Sequence, residues 1–207
     1  MEIDFLIFPH VEELDVTGPF EVFGKVRDVA DIHDTLKILA PTETTECAHG
    51  LCIVQSHELN PENIGDVLVV PGGKGVREYT EERLQVIEYI QKTHTNYQFI
   101  VSVCTGAFLL AEAGILNHIT CTTHTQFQEE LKRKGYSVVS HRVVHDEKYI
   151  TSTGVTSGID ASLYTVYLLH GRSVAEQVLA RIEYPFSMGH ILESVYKVNH
   201  LESSLSF

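Results

Sequence analysis

The chain of 207 residues is 43% hydrophobic and 21% charged, an ordinary composition for one soluble globular domain rather than a disordered or fibrous one. Its formal net charge of −13 argues against nucleic acid, because phosphate binding draws on Lys and Arg displacing condensed counterions. No run approaches the roughly 20 apolar residues needed to cross a bilayer, and the acidic start Met1-Glu2-Ile3-Asp4 lacks the basic flank of an export signal.

Strand-like and helix-like segments alternate along the chain, the pattern of an α/β domain whose parallel sheet is covered on both faces. Ile3 to Phe8 reads as a buried first strand and Leu14 to Val29 as a helix, with Thr17 as its N-cap and Pro19 in its first turn. Thr35 to Ala40 forms a second strand ended by Pro41, Thr44 to Leu59 a small hairpin or arm, and Asp66 to Val70 a short buried strand. The glycine-rich turn Pro71-Gly72-Gly73-Lys74-Gly75-Val76 follows, lacking the Walker spacing of a phosphate loop but able to bring backbone N–H groups close to a ligand. Glu81 to Thr93 has helical periodicity through Leu84, Ile87 and Ile90 or Gln91.

Gln98 to Val103 is an apolar strand that runs straight into Cys104-Thr105-Gly106-Ala107. A thiol on a tight strand-to-helix turn with small neighbours is the pattern of a nucleophile elbow, exposed above the sheet, where the helix N-terminus favours thiolate. The alternative is a buried structural cysteine closing a core strand. Thr105 to Ala113 reads as a helix buried all round and ended by Gly114. Beyond it the sequence predicts a short strand at Thr120 to Thr123, a helix from His124 to Lys134, strands at Ser137 to Val144 and Lys148 to Ser152, and closing helices at Gly158 to His170, Ser173 to Glu183 and Gly189 to His200. No repeat or linker divides the chain, so 1–207 is read as one domain.

In such sheets ligands bind beyond the carboxyl ends of the strands, where strand order reverses. Asp15, Gly72-Gly73 and Cys104 all stand at such ends and meet in one cleft if their strands are neighbours; Asp15 alone would be read as a helix-capping carboxylate. The four cysteines, Cys47, Cys52, Cys104 and Cys121, have no CxxC spacing and fit a reducing cytoplasm better than a disulfide framework. Cys47, His49 and Cys52 offer three soft ligands without a nearby fourth, so no metal is expected.

The runs FPHVEELDVTGPFEVF, VLVVPGGKGV, VSVCTGAFLLAEAGILN, TTHTQFQEEL and ITSTGVTSGIDASL resemble the ThiJ/PfpI family of the class I glutamine-amidotransferase-like superfamily. They are most similar to its isonitrile hydratase branch and to the amidase-like domain of certain AraC-type regulators. The resemblance extends to about residue 184; from Pro185 onward no match is made. It implies a flavodoxin-like three-layer α/β/α sandwich with a mostly parallel sheet, usually a homodimer, with Cys104 as nucleophile and Asp15 as its acidic partner. Gly73 and the Thr105 backbone would be oxyanion donors, with Gly72 beside them. Thr105 stands where protease-like members carry His, which speaks against a Cys-His protease mechanism.

His124 would lie near the site to orient groups or shuttle a proton, or serve as a structural hydrogen-bond partner, and Asp160 would cap a helix. The activity implied is hydration of an isonitrile to an N-substituted formamide, a small-molecule reaction without metal or organic cofactor. Two alternatives are a glyoxalase-like thiol activity and a ligand- or redox-sensing module. Direct DNA binding is disfavoured by the acidic charge and the short stretch after residue 184.

Overall fold

Strands that are apolar on both faces belong inside a sheet covered on both sides, and the two segments richest in such residues, Val67-Leu68-Val69-Val70 and Phe99-Ile100-Val101-Ser102, lie at the centre of this one. The computed structural model describes residues 1–198. In chain order, β1 (Glu2–Leu6) leads through α1 (Glu13–Gly24) and the short α2 (Val26–Val29) to β2 (Thr35–Ala40). The hairpin of β3 (Thr44–Glu46) and β4 (Cys52–Val54) and the brief β5 (His57–Glu58) follow, then β6 (Val67–Val70), α3 (Glu81–Thr93), β7 (Phe99–Ser102) and α4 (Gly106–Glu112). The remainder is β8 (Thr120–Cys121), α5 (Gln128–Arg133), β9 (Ser137–Val138), β10 (Val143–Asp146), β11 (Tyr149–Ser152), α6 (Ser157–His170), α7 (Arg172–Arg181), α8 (Met188–Ser194) and β12 (Val195–Lys197).

Eight strands form the main sheet in the order β12-β10-β11-β7-β6-β1-β2-β5, and every neighbouring pair is parallel except β10 with β11. The pleat splits the core in two. Leu6, Leu68, Val70 and Ile100 pack under α3, α4 and α5, whereas Ile3, Phe5, Val67, Val69 and Val101 pack under α1, α2, α6, α7 and α8. The result is the flavodoxin-like sandwich expected. Among the described residues no helix is long and apolar enough to cross a membrane.

Several local expectations are corrected. α1 starts at Glu13, so Thr17 lies inside it, its hydroxyl donating to the Glu13 carbonyl at 2.9 Å instead of capping the helix, and Pro19 sits beyond the first turn. In α3 Ile87 and Ile90 are buried as expected, but the stripe continues through Arg83 and Val86 rather than Leu84, which is 59% exposed. Arg83 tolerates burial because its Nε donates to the Val76 carbonyl at 2.6 Å and its guanidinium pairs with Glu112. Thr80 caps α3 by accepting the Arg83 amide at 3.2 Å. Chemical denaturation of Thr80→Ala should therefore show a loss of about 1 kcal/mol.

The predicted strand Ser137 to Val144 is two strands with different partners, β9 beside β8 and β10 beside β11. The last predicted helix ends at Ser194; the β-favouring Val195-Tyr196-Lys197 instead adds β12 to the edge of β10, while residues 199 and 200 lie outside those described.

Candidate active site

β1 and β6 are neighbours although the chain from β1 first builds outward to β2, so the strand order reverses between them. This crevice receives the segments after β1, β6 and β7, which carry Asp15, Gly72-Gly73 and Cys104. Cys104 has φ +57, a left-handed conformation that a side chain disfavours and that only surrounding structure sustains. The elbow is fixed by Val103 N donating to Val70 O at 3.0 Å, Cys104 N to Thr153 O at 2.7 Å and Gly106 N to Val103 O at 2.9 Å. The Thr123 hydroxyl donates to the Cys104 carbonyl at 2.8 Å. Gly72 packs directly on this turn: a Cβ there would lie 2.5 Å from the Thr105 nitrogen and 2.6 Å from its Oγ1.

Asp15, in the first turn of α1, is fully buried; its Oδ2 accepts the Gly72 amide at 2.9 Å, and Oδ1 has no hydrogen bond of ordinary geometry. Burial pushes its pKa up to about 7, against the pull of the Gly72 amide; Glu12 adds to the rise and the Cys104 side chain opposes it. Cys104 is 7% exposed rather than standing free above the sheet. Burial pushes its thiol up to about 12, with the Asp15 carboxylate adding to the rise, while the amides of Thr105 and Val155 and the Thr105 hydroxyl act against it. The expected thiolate-favouring effect of the helix end is thus outweighed by desolvation and by the neighbouring carboxylate. When Asp15 takes a proton the carboxylate's contribution disappears, so the two groups are linked acceptors of one proton.

The Gly73 amide donates to Thr105 Oγ1 at 3.0 Å, and the Gly72 amide is held by Asp15. Both are engaged inside the site, and the amides that favour charge on the Cys104 sulfur are those of Thr105 and Val155. Val155 is not among the expected site residues, since a backbone donor leaves no side-chain signature and only the small residues around it hint at a tight turn. His124 is half-buried, and its Nδ1 accepts the Gln126 amide at 3.2 Å, which leaves the proton of the neutral ring on Nε2. The ring lies on Gly154, beside the Val155 turn, and 5.6 Å from the Phe127 ring.

Asp160 does not cap α6. Its carboxylate pairs with Arg142 and accepts the Tyr184 hydroxyl at 2.6 Å. Cys47, His49 and Cys52 are not a ligand set, since Cys47 is buried, Cys52 is exposed, and His49 turns to Glu13 at 2.8 Å. Among the described residues Glu12, Glu13 and His49 hold donor atoms within 4.8 Å of one another, but both Glu13 oxygens already accept from His49, at 2.6 and 2.8 Å.

A parallel sandwich with a cysteine at a strained strand-to-helix turn, beside a buried carboxyl, is the arrangement by which this chain can be classed. It belongs to the DJ-1/PfpI family, whose pattern matches residues 1–166. The chain is 34% identical over 193 residues to isonitrile hydratase of Pseudomonas putida, an alignment spanning 91% of this chain and 82% of that protein. With the glutathione-independent glyoxalase DJR-1.2 of Caenorhabditis elegans it shares 28% identity over 171 residues, 81% of this chain and 86% of the other. The crystal structure of a ThiJ/PfpI family protein from Pseudomonas syringae superposes with a TM-score of 0.77 at 26% identity, covering 90% of this chain and 76% of that one.

Proposed function

We propose that the protein hydrates an isonitrile to an N-substituted formamide through Cys104 and Asp15. The observation that carries this reading is the Asp15 carboxyl, raised to about 7 and buried against Cys104, because an isonitrile carbon must gain both a proton and a nucleophile. Asp15 passes the thiol proton to the terminal carbon, and the thiolate adds to that carbon to give a thioimidate. Water then adds to the same carbon with Asp15 as base, the nitrogen takes up a proton, and the C–S bond breaks to release the formamide and regenerate the thiol. Each turn consumes one isonitrile and one water. The amides of Thr105 and Val155 steady negative charge on sulfur as it leaves. His124 packs against Gly154 and supports the Val155 turn, and the Gly72 and Gly73 amides hold Asp15 and Thr105 in place.

The similarity to a glyoxalase favours one other reading, in which the same thiol adds to the aldehyde of a 2-oxoaldehyde. An assay of small isonitriles for formamide and of methylglyoxal for lactate, with wild type and Cys104→Ser, separates them. Cysteine-dependent formamide is the expected result; cysteine-dependent lactate without formamide replaces the first reading with the second, and formamide from Cys104→Ser at the wild-type rate removes the thiol from the chemistry.

A further inference from the structure

The turn between β11 and α6 reaches Cys104 through a backbone group. Val155 has φ +40, a conformation that a β-branched residue disfavours, and Thr153 immediately before the turn accepts the Cys104 amide at 2.7 Å. Something must hold so unfavourable a turn in register with the sulfur. On one side the His124 ring lies on Gly154, where a Cβ would come within 2.6 Å of its Cδ2. On the other side stands Arg142, just before β10. It pairs through Nε with Asp160, and its terminal nitrogen donates to Thr156 Oγ1 at 3.3 Å, one residue beyond Val155. Asp160 is 3% exposed, and its second oxygen accepts the Tyr184 hydroxyl at 2.6 Å, so both carboxylate oxygens are used.

The Arg142 side chain is 39% exposed and that of Asp160 4%, so this half-buried ion pair contributes little net stability, but it fixes geometry. We propose that the Arg142–Asp160 pair, tied to Thr156 and Tyr184, is a positioning device that holds the Val155 amide on the Cys104 sulfur. The proposal rests on reading Cys104 as the nucleophile. Asp15 on α1 is the charged group facing that sulfur, with Glu12 behind it; α4 presents the Thr105 amide and hydroxyl, and the β11–α6 turn presents the Val155 amide. Loosening the turn withdraws a donor from the thiolate and leaves Asp15 unopposed on that side.

The test is alkylation of Cys104 by iodoacetamide from about pH 6 to pH 11, read peptide by peptide so that Cys47, Cys52 and Cys121 are scored separately. In Arg142→Ala the rate at pH 8 should fall about tenfold and the profile should move up by about one pH unit, the effect of losing a hydrogen bond to a charged atom. Arg142→Lys should restore part of the loss. Thr156→Val, which keeps the ion pair and removes only its link to the turn, should shift the profile in the same direction and carries the test if Arg142→Ala does not fold. A folded Arg142→Ala, or Thr156→Val in its place, with the wild-type profile overturns the positioning role. A wild type whose Cys104 is never alkylated sinks the nucleophile reading itself, a distinguishable result.

Discussion

Asp15→Asn is expected to be more stable than the wild type at pH 8 and to hydrate isonitriles about 10²–10⁴-fold more slowly, the range for losing a general acid. The wild-type carboxyl titrates near 7 when folded and near 4 when unfolded. Between those values the native state keeps a proton that the unfolded chain releases, so Asp15's contribution to stability is full below about pH 4 and is lost as pH rises toward 7, about 4 kcal/mol in all. Asparagine has no charge to bury and escapes that loss. Its NH2, placed where Oδ1 has no partner, costs about 1–3 kcal/mol, leaving a net gain of about 1–3 kcal/mol at pH 8 that vanishes or reverses near pH 5. Denaturant titrations of both proteins at the two pH values measure this. Asp4, a second buried carboxyl held above its usual range by burial, is common to both and cancels. A variant with the wild-type pH dependence would show that Asp15 does not carry the buried proton, and undiminished turnover would exclude it as the acid.

The second large effect is steric. Gly106 opens α4, and a methyl there would overlap the Val70 carbonyl oxygen and lie 2.8 Å from the Pro71 oxygen. Val70 O is also the acceptor for the Val103 amide, so relief requires β6 and β7 to part at the centre of the sheet, where no flexible side chain can yield. Gly106→Ala should lose about 4 kcal/mol or more, a large share of the roughly 5–15 kcal/mol that stabilises a typical domain. Thermal unfolding reads it directly, with low solubility as the extreme result; a wild-type melting temperature would contradict the close approach described.

The sandwich was legible because its signals are local. Four consecutive buried residues from Val67 to Val70 and the run into Cys104 mark central strands by composition, and Pro71-Gly72-Gly73 marks a place where chains approach. Asp15 was legible as a site candidate only beside the other two features. What escaped depends on partners distant in sequence or on atoms without identity. The Val155 amide belongs to any residue type, and Asp160 looked like a helix cap until Arg142, 18 positions earlier, took its carboxylate. Leu84 was expected inside and is exposed, while Arg83 beside it is buried, its guanidinium satisfied by partners remote in sequence, Val76 and Glu112. At the C-terminal end the register of β12 on β10 was invisible, since a short stretch beginning at Val195 is compatible with either helix or strand.

The bond from the Gly72 amide to Asp15 spans 57 positions, and the elbow's own amide is received by Thr153. Nothing about Cys104 is therefore special in an isolated peptide or in a half-assembled chain, where it is one thiol among four. Its distinctive surroundings arise only when three remote portions of the polypeptide have docked, which makes its reactivity toward an alkylating reagent a reporter of completed assembly.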